Sequence, residues 1–296
     1  KQKTAYEISL GLVGSEMCIR DRDKRLIGAV SLKDLVLASP EIKVREIMDK
    51  NVIKVGVLTD KEEAAKIFKD YDLIALPVVD KENKLLGIIT FDDLVDVLEE
   101  EATEDFEKIA AVVPVEKPYL EAGFFEITWK RTFWLFVLLV LESLSGFILQ
   151  GYSTSIKRMV SLTFFLPVLI ATGGNAGTQS ATMIIRGLAT GDLELRDFLK
   201  VIIREAGMGF LIGIIMGIFG LLRALLQRGD WLLSVSVGVS MCVTIIFATV
   251  IGALLPLLFR RLKLDPALMS SPLIATLIDI IGIAIYFEIA SFILKI

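Results

Sequence analysis

The chain contains 296 residues, 54% of them hydrophobic, and carries a formal net charge of −4 at pH 7. Its mean hydropathy of +0.66 is too high for an ordinary soluble protein. The charges divide unevenly, because residues 1–128 hold 18 Lys and Arg against 27 Asp and Glu, whereas residues 129–296 hold 14 against 9. An acidic front half joined to an apolar back half predicts a soluble domain followed by a membrane domain.

Missing residue types narrow the chemistry. The chain has no His, and its only cysteines are Cys18 and Cys242. Imidazole metal sites, Ser-His or Cys-His catalytic pairs, disulfide frameworks and zinc clusters are therefore excluded. The acidic front half has no basic stripe with interleaved aromatic residues, so we predict no nucleic-acid partner. These absences favour a protein that is not an enzyme.

Residues 1–22 form a segment of unusual sequence. Residues 5–22 resemble the translated remnant of a sequencing adaptor. We therefore predict that residues 1–22 are not native to the protein, that its natural chain extends further upstream, and that the present sequence lacks an N-terminal domain.

An internal repeat follows. Residues 25–36 align with residues 84–95 at an offset of 59 positions, and five of the twelve aligned residues are identical. Each copy predicts a short apolar strand and then a helix, with Ser31 or Thr90 as the N-cap. Residues 52–55, 61–70 and 73–79 predict a strand, a helix and a strand that complete the second copy.

This β-α-β-β-α pattern resembles the CBS domain. We assign a partial first CBS unit to residues 23–43 and a complete second unit to residues 44–91. The Thr-x-x-Asp pattern at Thr90 and Asp93 resembles the ribose contact of CBS domains, which implies ATP as a possible ligand.

Residues 92–128 are predicted to form an acidic connecting helix and a linker. Positions 92–107 hold nine Asp or Glu and no Lys or Arg. Carboxylates three and four residues apart form a ridge along a helix, and such oxygen-rich clusters suit hard cations such as Mg2+. A solvated acidic surface helix is the alternative interpretation.

Residues 129–296 are predicted to be an all-α membrane domain of five helices. The five stretches long and apolar enough to cross a bilayer are about 129–150, 160–186, 199–226, 231–259 and 271–295. If the front half is cytoplasmic, nine Lys and Arg flank the spans on the cytoplasmic side and five on the outer side. This bias predicts a multi-pass protein of the cell membrane with the N-terminus inside and the C-terminus outside.

Two spans have unusual compositions. The third contains glycines four residues apart, which indicates close helix packing. The second contains PVLIATGGNAGTQS at residues 167–180, and small and amide residues in mid-span indicate a backbone that lines a cavity. We favour a polar pore wall for this segment, with packing through Gly173 and Gly177 as the alternative.

Acidic residues are rare inside the spans. Asp279 lies in the last span, whose apolar interior contains no Lys or Arg. Because an intramembrane carboxylate is costly unless it faces water, a partner or an ion, Asp279 is predicted to be an ion site. Glu288 lies nearer the end of that span, Glu205 lies near a membrane face, and Glu142 has no clear role.

The chain as a whole resembles the MgtE-type magnesium channels over about residues 24–296. Three segments carry the resemblance: FDDLVDVLEEEATEDFEKIAAV at 91–112, PVLIATGGNAGTQSATMIIRGLATGDL at 167–193 and RRLKLDPALMSSPLIATLID at 260–279. The resemblance implies a homodimer in the lipid bilayer with five spans per subunit, an ion path along the dimer axis, and closure by intracellular Mg2+.

The resemblance also implies roles for particular residues. Asp279 corresponds to the pore carboxylate, and the implied pore-lining residues are Ala275, Gly173, Gly174 and Asn175. The implied regulatory metal ligands are Asp60, Glu62, Asp72, Asp93, Asp96, Glu101, Glu104, Asp105 and Asp265. Some members carry Asn where Thr178 and Ser271 stand, so neither residue is assigned as a ligand.

Three other functions remain open. A CBS-bearing anion channel requires basic groups or helix N-termini at its pore, which an intramembrane carboxylate disfavours. A membrane-bound enzyme requires clustered acids or a nucleophile-base pair within the spans, and neither is visible in the sequence. A transporter of another divalent cation such as Co2+ or Ni2+ is the nearest alternative, although the absence of His and of clustered thiols favours a hard ion.

Overall fold

The computed structural model describes residues 12–13, 16–115, 117 and 119–296. The chain divides into two compact units between Thr103 and Glu104. This division lies within the acidic helix, upstream of the predicted start of the membrane domain. The predicted domain boundaries remain predictions.

The first unit begins with an antiparallel sheet of strands β1 (Leu12–Val13), β2 (Glu16–Arg20) and β3 (Leu26–Ser31), in that order. Residues 1–11 and 14–15, most of the segment predicted to be non-native, lie outside the described residues. The paired strand β2 does not test that prediction.

Two short helices follow β3, namely α1 (Leu32–Leu37) and α2 (Val44–Ile47). The Ser31 hydroxyl oxygen accepts a hydrogen bond from the Asp34 backbone N–H at 3.0 Å. Such a contact satisfies an otherwise unpaired N–H group of the first turn, so Ser31 caps α1 as predicted.

A second sheet contains β4 (Val55–Gly56), β5 (Ala75–Val79) and β6 (Leu85–Thr90). Strand β5 is central, parallel to β4 and antiparallel to β6. Helix α3 (Lys61–Tyr71) connects β4 to β5. Strand β4 shares only Val55 with the predicted strand at 52–55, because only Val55 and Gly56 pair with β5. The predicted β-α-β-β-α order is confirmed.

The core of this second copy is apolar and shared between the sheet and its helices. Its buried residues are Val55, Ala64, Ala65, Phe68, Leu76 and Leu94. The two copies of the repeat also meet through their backbones, because Leu26 N donates to Asn83 O at 2.9 Å and Leu85 N donates to Lys24 O at 2.8 Å.

The acidic helix is α4 (Phe91–Ile109), directly after β6. Helical periodicity turns Leu94 into the core and leaves Asp93 and Asp96 exposed. The ridge predicted from the spacing of the carboxylates therefore lies on a real helix.

The second unit is helical. Its helices are α5 (Phe124–Gly151), α6 (Ser153–Arg158), α7 (Leu166–Ala189), α8 (Phe198–Arg228), α9 (Trp231–Arg261) and α10 (Ser271–Leu294). Three short 3-10 helices lie between them, at Val160–Phe164, Leu195–Asp197 and Pro266–Leu268. The predicted order, an α/β unit followed by an all-helical unit, is confirmed.

Among the described residues, four helices are long and apolar enough to cross a membrane: α5, the helical segment Leu195–Arg228 that includes α8, α9 and α10. These lie at the predicted first, third, fourth and fifth spans. Helix α7, at the predicted second span, is not one of the four. Its glycines and small polar residues account for this difference, and its role as a fifth span remains a prediction.

Helices α7, α8, α9 and α10 pack together, and α9 contacts the other three. Helix α5 is different, because only 6% of its most apolar 18-residue stretch is buried. It packs against α10 and α6. The glycines spaced four residues apart on α8 form a packing surface. A methyl group on Gly213, for example, would lie 2.8 Å from the Cys242 carbonyl oxygen of α9. The packing interpretation of these glycines is confirmed.

Candidate functional site

Asp279 lies on α10, whose first turn is fixed by two N-terminal signals. Ser270 caps the helix by accepting from Leu273 N at 3.4 Å, and Pro272 stands in the first turn. The Asp279 side chain is half-buried. Its Oδ1 atom is enclosed and has no hydrogen-bond partner among the described residues. An enclosed carboxylate oxygen without a partner is costly, so this atom marks a site where a cation or a proton would be stabilised.

The neighbouring helix α7 places Gly174 beside Asp279 and Thr178 beside the start of α10. A methyl group on Gly174 would lie 3.4 Å from Asp279 Oδ1 and 3.5 Å from Ala275 Cβ. One turn further along, Thr178 Oγ1 donates to the Ser271 carbonyl oxygen at 3.4 Å. We call these five residues, Gly174, Thr178, Ser271, Ala275 and Asp279, the Asp279 seam. It joins α7 to α10, and at Gly174 the side of α7 next to the carboxylate has no side chain.

Two other glycines of α7 are packed more tightly. A methyl group on Gly173 would lie 2.9 Å from Thr244 Cγ2 of α9 and 3.3 Å from Ile278 Cγ2 of α10. One on Gly177 would overlap Ile278 Cδ1 and lie 3.1 Å from the Ala248 carbonyl oxygen of α9. Both glycines are therefore required for the approach of α9 and of Ile278. Asn175 is exposed. The structure thus brings Gly174 and Ala275 to Asp279, whereas a pore-lining role for Gly173 and Asn175 remains a prediction.

Glu205 of α8 lies in a buried polar contact. It is 7% exposed, and the Ser180 hydroxyl lies 2.8 Å from its Oε2 atom and 2.8 Å from the Thr249 carbonyl oxygen. The three groups come from α8, α7 and α9, so the contact ties these helices together. Glu205 also lines a cavity of about 350 Å³ between α7 and α8, which is walled mainly by apolar side chains.

The remaining two intramembrane carboxylates lie near α10. Glu288 accepts a hydrogen bond from the Tyr152 hydroxyl at 2.5 Å. This contact gives Glu288 a partner that the sequence did not reveal. Glu142 of α5 is exposed and lies within electrostatic reach of Asp279. Two carboxylates in one membrane region repel each other, which increases the attraction of this region for a cation.

In the first unit, several predicted regulatory residues already have local roles. The Asp60 carboxylate caps α3 by accepting from Glu62 N at 2.9 Å, and Asp72 occupies the left-handed C-cap of the same helix with φ 48°. Lys61 Nζ lies 2.9 Å from Glu101 Oε1. These contacts explain why acidic residues occur here without invoking a metal.

The predicted nucleotide contact has a local partner as well. The Asp93 carboxylate accepts from the Thr90 hydroxyl at 2.6 Å and from the Thr90 backbone N–H at 3.0 Å. These two hydrogen bonds hold the pKa of Asp93 below its ordinary value. The Thr-x-x-Asp pattern therefore stabilises the start of α4, and ATP binding remains a prediction.

In the helical unit, Lys108 joins two predicted regulatory residues. Its Nζ atom lies 2.8 Å from Glu104 Oε1 and 2.7 Å from Asp265 Oδ2. Burial lowers the pKa of Lys108, but the hydrogen bonds to Asp265 and Glu104 raise it further, to well above its ordinary value. The ammonium therefore stays charged at neutral pH. The sequence interpretation missed Lys108, although it is the first basic residue after the acidic run and lies four residues after Glu104.

Among the described residues, no group of three or more Asp, Glu, Cys or His side chains converges on a metal position. Mg2+ prefers six oxygen ligands. A regulatory Mg2+ would therefore need water, backbone oxygens or a second subunit to complete its shell, and the predicted regulatory ligands remain predictions. Asp105 is half-buried and has an interaction of its own.

The sequence matches two protein-family models. Residues 166–289 match the family described as "MgtE: Divalent cation transporter", and residues 44–100 match the CBS domain. The first match contains all of the Asp279 seam. The second covers the complete CBS unit and the first half of α4.

Curated relatives extend the likeness along nearly the whole chain. A protein named "Magnesium transporter MgtE" from Thermus thermophilus is 46% identical over 93% of this chain and 61% of its own length. One with the same name from Bacillus subtilis is 37% identical over 98% of this chain and 64% of its own length. The chain thus spans about three fifths of the length of these relatives.

A solved structure matches part of the first unit. It is described as the cytosolic domain of the Mg2+ channel MgtE in complex with ATP and is 45% identical, with a TM-score of 0.28 over 29% of this chain and 34% of that chain. The sequence matches and the arrangement of an α/β CBS unit before a helical bundle lead to one conclusion. Residues 166–289 are similar to the MgtE family of divalent cation transporters, and a segment similar to the CBS domain precedes them.

Proposed function

We propose that this chain is a subunit of a Mg2+ channel that mediates Mg2+ uptake across the cell membrane. The observation that supports this most is Asp279 Oδ1, which is enclosed in a helical bundle without a hydrogen-bond partner among the described residues. Gly174 places no side chain of α7 against this oxygen, and even a methyl group there would lie only 3.4 Å from it. Relatives named as magnesium transporters support the choice of ion.

A hydrated ion fits this chemistry. Mg2+ releases its water reluctantly and usually keeps several water ligands. A single carboxylate ring can hold such an ion through its waters, whereas a dehydrated ion would need six protein oxygens. In a two-fold homodimer, two Asp279 side chains would face each other across the axis, and their repulsion would be relieved best by a doubly charged ion.

The proposed subunit crosses the membrane five times, with its N-terminus in the cytoplasm and its C-terminus outside. Helix α7 serves as the second span because it is packed between α9 and α10. The polar groups of its Asp279 seam would then face the ion path rather than lipid. A helix of low hydropathy can lie within the membrane under that condition. The Lys and Arg bias of the flanking segments supports the orientation.

The proposed gate is the acidic helix. At low intracellular Mg2+, repulsion between the carboxylates of α4 and of the CBS unit holds the channel open. At high Mg2+, bridging ions relieve the repulsion and stabilise the closed state. A ligand shifts such an equilibrium only through its preference for one state, so many weak sites together can set a millimolar threshold. Binding of ATP at the CBS unit is a secondary proposal that rests on Thr90 and Asp93.

Ion flux into liposomes tests the proposal. The full chain would be reconstituted, and uptake of Mg2+, Co2+, Ni2+ and Ca2+ would be measured under the same gradient. We expect Mg2+ uptake well above that of empty liposomes and slower uptake of Ca2+. Uptake of Co2+ or Ni2+ without Mg2+ would instead assign the chain to a transporter of those ions, and the absence of all uptake would refute channel activity.

A further inference from the structure

Lys108 occupies a position between two carboxylates of the helical unit. Its ammonium contacts Glu104, one turn earlier on α4, and Asp265, in the segment before α10. The side chains of Lys108, Glu104 and Asp265 are 20%, 39% and 37% exposed, so the contact is only partly open to solvent. Partial burial reduces screening by salt and makes these ion pairs stronger than pairs on an open surface.

Asp265 connects this contact to the helix of the proposed ion site. Its Oδ1 atom accepts from Ala267 N at 2.9 Å and so caps the 3-10 helix Pro266–Leu268. That short helix leads directly into Ser270, the N-cap of α10. The second oxygen of Asp265, Oδ2, is the one that contacts Lys108. One carboxylate therefore caps the short helix that precedes α10 with one oxygen and contacts Lys108 of α4 with the other.

We propose that Lys108 is a built-in counter-cation that intracellular Mg2+ must displace from Glu104 and Asp265, and that it thereby sets the Mg2+ concentration at which the channel closes. This inference rests on the proposed function, because it concerns the regulation of the same channel. Lys108 would act as a cation that competes with Mg2+, which the acidic residues themselves cannot do.

Charge and geometry carry the proposal. The ammonium supplies one positive charge to two carboxylates, so the contact retains a net negative charge that attracts a further cation. A Mg2+ ion bound by the same two oxygens needs a compact octahedral shell and cannot share them with an ammonium at 2.7 and 2.8 Å. Binding of Mg2+ and contact with Lys108 are therefore mutually exclusive at these atoms.

The competition predicts the direction of the effect. Lys108→Met keeps the length of the side chain and removes its charge, so Mg2+ would bind Glu104 and Asp265 without first displacing the ammonium. We expect the half-inhibitory intracellular Mg2+ concentration to fall about fivefold, which corresponds to about 1 kcal/mol. Lys108→Arg retains the positive charge and should stay within about twofold of the wild type.

Two further variants separate this role from a general effect of charge. Lys200→Met removes a lysine of the same unit whose partner is Asp197, at 3.0 Å, and leaves Glu104 and Asp265 unchanged. It should not shift the threshold. In an Asp265→Asn background, the threshold should rise, and adding Lys108→Met should lower it much less than in the wild type, because the shared carboxylate is absent.

The experiment combines patch-clamp recording at graded intracellular Mg2+ with calorimetric titration of Mg2+ into the same purified full-chain variants. The inference predicts a lower half-inhibitory concentration and tighter Mg2+ binding in Lys108→Met, with neither change in Lys200→Met. Unchanged inhibition and binding in Lys108→Met would overturn it, as would an equal shift in Lys200→Met. A wild-type chain that conducts no Mg2+ would refute the proposed function, whereas the calorimetric comparison would still test the competition.

Discussion

Helix α7 has two faces that contain the same kinds of small residue and have opposite surroundings. On one face, Gly173 and Gly177 lie against α9 and against Ile278 of α10, where any side chain would press on a neighbour. On the other face, a methyl group on Gly174 would meet Ala275 and Asp279 of α10 at ordinary contact distances. The first face has no room for a side chain, whereas the second could accept a methyl group beside a carboxylate.

The difference shows that a run of glycines in a membrane helix can serve two purposes at once. Glycine brings backbones together on one side, which stabilises the bundle through van der Waals contact. On the other side, glycine keeps a large side chain away from the Asp279 carboxylate. Substitutions that add volume should therefore disrupt folding on the first face and ion passage on the second.

The largest expected effect concerns the tight face. In Gly252→Ala of α9, the new methyl group would overlap the Gly177 carbonyl oxygen, and the Gly177 carbonyl carbon lies only 3.0 Å away. Because both helix backbones must move apart, we expect a loss of about 3 kcal/mol of stability or failure to fold. Thermal unfolding and size-exclusion profiles in detergent would measure it.

Gly146→Ala provides the matched control, because among the described residues no atom beyond the adjoining backbone of α5 lies within 4 Å of the position that its methyl group would take. Alanine is the better helix former, so this variant should be neutral or slightly more stable. Equal destabilisation by the two substitutions would contradict the distinction between packed and open glycines.

Substitutions at Gly174, on the face of α7 next to Asp279, should have a different effect. Gly174→Ala adds a methyl group at 3.4 Å from Asp279 Oδ1 and 3.5 Å from Ala275 Cβ, which are ordinary contacts, and should fold and conduct. Gly174→Leu extends a larger side chain over the carboxylate and should reduce Mg2+ flux at least tenfold, an effect of about 1.4 kcal/mol. Liposome flux would be compared with the melting temperature of each variant. Normal transport by folded Gly174→Leu would show that the Asp279 seam is not part of the ion path.

Removal of carboxylates from the acidic helix α4 tests the proposed gate. Replacing Asp93, Asp96, Glu104 and Asp105 with Asn or Gln removes both their mutual repulsion and the sites for bridging ions. We expect the loss of bridging to dominate, so that closure no longer responds to internal Mg2+. Patch-clamp recordings at graded internal Mg2+ would measure this. If the quadruple variant were inhibited like the wild type, the ridge would be a solvated acidic surface.

The smallest expected effect lies at the end of the Asp279 seam. Thr178→Val removes a hydroxyl whose hydrogen bond to the Ser271 carbonyl oxygen is long, at 3.4 Å. We expect a stability change of about 0.5 kcal/mol and little change in flux, because the carboxylate remains. A large loss of Mg2+ flux in folded Thr178→Val would assign the hydroxyl a direct role in ion passage. Unfolding and flux of the same preparation would distinguish these outcomes.

Much of the fold was predictable because its signals are local. The repeated segment around Ser31 and Thr90 indicated strand-to-helix junctions, and both lie where expected. Apolar length indicated the long helices to within a few residues, although the predicted span at 160–186 begins as the 3-10 helix Val160–Phe164, with α7 starting only at Leu166. Helix capping and the length of an apolar stretch both depend on residues that are close together in the sequence, so both can be recognised from the sequence alone.

Contacts between distant segments were less predictable. Asp279 was recognised because a carboxylate in an apolar span is rare, but its approach to Gly174 depends on how α7 and α10 pack. The contact of Lys108 with Asp265 joins residues 157 positions apart, and no periodicity indicates it. The same holds for Tyr152 and Glu288, 136 positions apart. Partners of polar groups in distant segments are set by tertiary packing, which a single sequence does not reveal.

The most direct measurement is the Mg2+ flux of Asp279→Asn in liposomes, beside Asp279→Ala and the wild type at matched protein density. Asparagine keeps the size and polarity of the side chain and removes only its charge. If the carboxylate attracts the ion, both variants should assemble normally and lose most of their flux, with Asp279→Asn almost as impaired as Asp279→Ala. Wild-type flux through Asp279→Asn would contradict the central claim that the charge of Asp279 holds the transported ion.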